Sequence, residues 1–65
     1  MNKINRQINL RYRKQKLIED MKMTEILIKY AEKCRDYETQ ISAERKLLRQ
    51  QTELGLINTA LEKLI

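Results

Sequence analysis

The 65-residue chain contains no histidine and no proline, one glycine, Gly55, and one cysteine, Cys34. Without a second cysteine there is no intrachain disulfide, and without histidine there is no plausible zinc site. A single glycine leaves no glycine-rich phosphate loop, and no carboxylate pair sits in a context that spacing identifies as an apolar pocket. General acid–base and metal chemistry therefore lack their usual groups. Cys34 is the one strong nucleophile, and its place in an apolar stripe without an identifiable base reads as a small packing residue. No catalytic activity and no cofactor are expected.

Long apolar runs are also missing. Nothing approaches the roughly 18 to 20 apolar residues of a membrane span, and the N-terminus lacks the apolar segment of a secretory signal. A soluble, cytoplasmic protein is the expectation. Acidic residues are absent from residues 1–18, which carry Lys3, Arg6, Arg11, Arg13, Lys14 and Lys16 for a local charge of +6. The remaining residues hold eight bases and nine acids, so the net charge of +5 is concentrated in the N-terminal quarter. Such a block attracts phosphate, anionic lipid or an acidic protein surface, or stays solvated as a basic tail.

What the chain does have is Glu, Lys, Arg, Gln, Leu, Ile and Ala, the composition of long helices. Met23, Leu27, Tyr30, Cys34, Tyr37, Ile41 and Leu48 advance in steps of four and three, with Glu44 at one beat. This is a heptad stripe. On it, Tyr30 and Tyr37 read as packing residues with their hydroxyls at the rim. A second line, Leu17, Met21, Ile28 and Ala31, lies on an adjacent face, so the helix is apolar around too much of its circumference for one two-stranded seam. Further on, Leu47, Leu54, Ile57, Leu61 and Leu64 form a new stripe offset by one residue, with Gln50 at the skipped beat. The register therefore changes near residues 44–55.

Two breaks are conceivable. Gly55 is a candidate helix cap, although the later stripe runs through it. Asp36 in "CRDYET" is a candidate N-cap for a second helix, yet neither glycine nor asparagine marks a turn there and the stripe crosses it. The simpler reading is one helix from about residue 14 to about residue 54, roughly 60 Å long at 1.5 Å per residue. A lone helix of that length has no core, and a chain this short seldom stabilises itself. The expected class is all-α: a long amphipathic helix, or a helical hairpin, in an oligomeric coiled coil or bundle, with a basic N-terminal arm at 1–13 and an association region at 14–65. The expected interface is Met23, Leu27, Tyr30, Cys34, Tyr37, Ile41, Leu48, Leu54, Ile57 and Leu61.

Residues 6–13 stay open between strand, helix and disorder. As a strand, Ile8, Leu10 and Tyr12 alternate with Gln7, Asn9 and Arg11. As a helix, Ile4, Ile8 and Tyr12 share a face. The stretch "QINLRY", Gln7 to Tyr12, resembles the N-terminal strand of Arc-like ribbon-helix-helix repressors. That resemblance implies a dimeric DNA-binding regulator in which Gln7, Asn9 and Arg11 enter the major groove. It covers only these residues, and the two short helices of that family are not visible downstream.

Two functional classes follow. In the first, a small non-catalytic helical protein self-associates or docks on a protein partner to regulate or scaffold it. In the second, the chain binds nucleic acid through residues 1–16, with Arg6, Gln7, Asn9, Arg11, Arg13, Lys14 and Lys16 as the contacting residues. Membrane-surface attachment through Met1, Ile4 and Ile8 is disfavoured by so sparse an apolar face.

Overall fold

The computed structural model describes residues 3–64. Two helices account for nearly all of them: α1, Lys3–Cys34, and α2, Tyr37–Lys63. They fold back on one another as an antiparallel hairpin 48 × 15 × 15 Å in extent. Its length is that of α1, since 32 residues at 1.5 Å each span about 48 Å.

The seam between the helices explains the fold. On α1, Gln7, Leu10, Lys14, Leu17, Met21, Thr24, Ile28 and Ala31 are buried or half-buried, and they advance strictly by three and four. On α2, Gln40, Ala43, Leu47, Gln50, Leu54, Ile57, Leu61 and Leu64 do the same. Each helix thus presents one continuous heptad line to the other, the knobs-into-holes pattern of a two-stranded coiled coil. At the open end, Gln7 Nε2 donates to the carbonyl oxygen of Leu64 at 3.3 Å and ties the first turns of α1 to the end of α2.

The chain reverses in two residues. The N–H of Asp36 donates to the Ala31 oxygen at 2.9 Å and that of Arg35 to the Glu32 oxygen at 3.2 Å. This paired closure is a Schellman motif, which places Arg35 at the position that normally takes glycine. Arg35 accordingly sits at φ 57°, in the left-handed region. Asp36 then starts α2. Its Oδ1 accepts from the Thr39 N–H at 3.2 Å and its Oδ2 from the Thr39 hydroxyl at 2.6 Å. Those two bonds, the hydroxyl first, hold the Asp36 carboxyl below its ordinary pKa of 3.8.

The reversal corrects the reading of one helix from residue 14 to residue 54. Absence of glycine or asparagine argued against a turn, and an arginine in the left-handed region does cost about 1–2 kcal/mol. Burying a single leucine or isoleucine side chain contributes about 1.5–3 kcal/mol. Closing the hairpin buries both Leu17 and Ile57, so the turn forms despite its strain. Past the turn, α2 is continuous through Gly55. The two apolar stripes near residues 44–55 are therefore two faces of one helix, with Leu48 on its outer side and Leu47 and Leu54 in the seam. Residues 3–13 are likewise not separate from the rest but form the opening turns of α1.

The core is thin. Among the described residues only Leu17, Ala31, Ala43 and Ile57 are buried apolar side chains, and two of these are alanines. Two polar groups, Thr24 and Gln50, are buried beside them. The Thr24 hydroxyl donates to the Asp20 carbonyl at 3.0 Å. Gln50 Oε1 has no hydrogen-bond partner among the described residues.

Candidate functional site

Hairpin closure uses up one apolar line on each helix and leaves the other outside. With Gln7 and Gln40 at heptad position a, Met23 and Tyr30 fall at c, and Leu27 and Cys34 at g. Tyr37 falls at e, and Ile41 and Leu48 at b. All seven are exposed, Leu27 at 43% and Met23, Tyr30 and Tyr37 at 66%. Within one chain, Cys34 and the two tyrosines are therefore not packing residues. The line that seemed secondary in sequence, with Leu17 and Ala31, holds the buried places.

The turn also divides this outer stripe. In an antiparallel pair the g positions of both helices line one side of the seam and the e positions the other. Leu27 shares a shallow recess with Thr39 and Lys46, both at g. Met23 joins it in a neighbouring recess beside Asp20 and Lys46. Ile41 and Leu48 border a separate recess with Arg45 on the outer side of α2. What reads as one stripe across residues 23–48 is thus two apolar patches, one on each flank of the hairpin near its turn. Leu54, Ile57 and Leu61, grouped with the interface in sequence, lie in the seam, where Ile57 is buried against α1 and the other two are half-buried.

Ile4, Ile8 and Tyr12 are exposed on the first turns of α1, Ile26 lies near Met23, and Leu56 is exposed on α2. The total accessible surface is 5536 Å². A compact 7.9 kDa protein exposes about 4,400 Å². The hairpin thus leaves roughly 1,100 Å² more in water than a compact chain of its mass, with large apolar side chains prominent in it.

The basic segment is helical. Residues 7–12, whose alternation also suits a strand, belong to α1. Arg6, Arg11, Arg13 and Lys16 are exposed, and so is Asn9. Gln7 and Lys14 turn toward the seam instead. Arg11 and Lys14 line a shallow groove between the helices with Gln15, Ile18 and Leu61. Met1 of the sparse N-terminal apolar face lies outside the described residues. Among the described residues no helix is long and apolar enough to cross a membrane, and no group of histidine, cysteine or acidic side chains is arranged to hold a metal ion.

Sequence reasoning placed Gln50 at a beat of the α2 stripe but missed Thr24. Both occupy core positions, and the signal for Thr24 was available as the beat that completes the α1 run of threes and fours. Comparison with protein-family models, curated proteins and solved structures finds no match for this chain.

Proposed function

We propose that this chain is a small non-catalytic interaction protein, a helical hairpin that self-associates or docks on another protein to regulate or scaffold it. The observation that carries this reading is the outward placement of Met23, Leu27, Tyr30, Tyr37, Ile41 and Leu48 on a hairpin whose own core is small. Monomeric soluble proteins rarely leave large contiguous apolar patches uncovered, and such patches mark interaction sites. The test is light scattering coupled to size exclusion on the full chain and on Leu27→Asp and Ile41→Asp. Association that persists to ~0.5 M salt and is lost in the variants supports the reading, because apolar docking is insensitive to screening. Variants that associate and remain as helical as the parent refute it.

A second reading rests on Arg6, Arg11, Arg13 and Lys16, which are exposed together on the opening turns of α1. It makes the chain a dimeric DNA-binding regulator using this cationic end on phosphates. A fluorescence titration with labelled duplex DNA tests it against a variant carrying Gln at Arg6, Arg11, Arg13 and Lys14. Binding at physiological salt that the variant loses supports this second reading, and equal binding by both chains removes it.

A further inference from the structure

We infer that the partner of the α2 flank is a second copy of this chain, packed α2 against α2 in antiparallel fashion about a two-fold axis that crosses the bundle at the level of Lys46. The inference rests on the interaction reading above and names its partner. Ile41, Leu48 and Gly55 recur at seven-residue intervals on one outward line of α2, with Tyr37 on its edge. Glycine inside a helix disfavours it by about 1 kcal/mol relative to alanine. Nothing within the hairpin calls for it, since a Cβ at Gly55 would meet no described atom within 4 Å and its backbone is not left-handed. Close approach of a group from outside the chain supplies the reason.

Symmetry identifies that group. An antiparallel approach about Lys46 brings Tyr37 of each copy over Gly55 of the other, because the two residues lie equally far from the axis. It sets Ile41 within one helical turn of Leu48 of the second copy, and Glu44 equally near that copy's Arg45. Lys46 is level with Glu25 on α1, since Cys34 ends one helix opposite the start of the other at Tyr37, so the same axis leaves Lys22 within one helical turn of Glu25 of the second copy. The flank thus offers its own apolar residues and Gly55 to a second copy, as an isologous interface requires. A standard interface buries about 800 Å² per partner. That is most of the excess of roughly 1,100 Å² which the single hairpin exposes.

The sole cysteine provides the test on the full chain. Cys34 lies at the turn, level with Tyr37 and nine residues from the axis, so in this arrangement a nitroxide on each copy stands about 27 Å from its mate along the bundle, from the rise per helical residue. Sedimentation equilibrium giving twice the chain mass, with an electron–electron distance near that value, is the expected result. Gly55→Leu is the companion variant, since leucine favours helix yet collides with Tyr37 of the second copy. It should raise the dimer dissociation constant at least about tenfold with no loss of helicity. A short distance, near one interhelix spacing of about 10 Å, shows a parallel pairing and overturns the inference. Unchanged dimerisation of Gly55→Leu also overturns it. A single-chain mass at all concentrations overturns the second copy as partner yet leaves the apolar flank open to a different protein. The broader interaction reading fails separately, through the Leu27→Asp and Ile41→Asp variants.

Discussion

Replacing Gln50 with leucine perturbs the seam at its weakest point. Gln50 is 8% exposed and its Oε1 lacks a partner among the described residues. An unsatisfied buried acceptor costs about 1–3 kcal/mol, and a leucine of similar volume removes that cost while adding apolar contact. The flanking seam positions on α2 are Leu47 and Leu54, so the new side chain joins an apolar row. A net gain of about 2 kcal/mol is expected, which for a chain of this size raises Tm by roughly 10 °C. Thermal and urea unfolding followed by circular dichroism measures it, with chain concentration held equal because association shifts Tm. A melting temperature that is unchanged or lower refutes the reasoning, since it shows Gln50 to be satisfied in solution. The gain has an expected counterpart. A polar residue in a seam favours one register over its neighbours, so Gln50→Leu should broaden the set of helix pairings detected by amide exchange.

Arg35→Gly relieves the left-handed strain at the turn but loosens the unfolded chain, and the balance is a stabilisation of about 0.5–1 kcal/mol in urea titration. Loss of stability would place the turn elsewhere. Because the Asp36 carboxyl titrates below its ordinary value of 3.8 in the folded state, its contribution is complete above that value and is lost as pH falls through the lowered one. Acid titration of the parent should therefore show a loss of stability in that window that Asp36→Asn lacks. Removing residues 1–13 takes Gln7 and Leu10 from the seam and uncovers Leu61 and Leu64, so the shortened chain should unfold at distinctly lower urea than the parent. Equal midpoints would show that the opening turns of α1 do not pack on α2.

Much of this architecture is written in the spacing of the apolar residues, and the parts that are not have identifiable causes. Helix content follows from a chain without proline and with one glycine. The α2 seam from Leu47 to Leu64 is legible as a stripe of its own, and α1 contributes Leu17, Met21, Ile28 and Ala31 as a visible line. The turn is hidden because Arg35 occupies a glycine position, and a Schellman closure made by backbone groups leaves little trace in side-chain identity. Counting both lines to completion exposes it, since the run that ends at Ala31 and the run that begins at Gln40 are nine residues apart and cannot be joined by alternating steps of three and four. Which stripe faces inward is harder to read. Met23, Tyr30, Tyr37 and Ile41 are more apolar than Thr24, Gln40 and Gln50, yet the former lie outside and the latter in the seam. A stripe that continues across a helix break is not a continuous face, because the reversal at Arg35 and Asp36 sends its two halves to opposite flanks.

The most direct test of the interaction reading is sedimentation equilibrium of the unmodified full chain over a wide concentration range at physiological and at ~0.5 M salt. The expected result is a mass above that of one chain, reached at both salt concentrations, because the surface being covered is apolar. A stably helical species at the mass of a single chain under every condition, binding no hydrophobic dye, would contradict it.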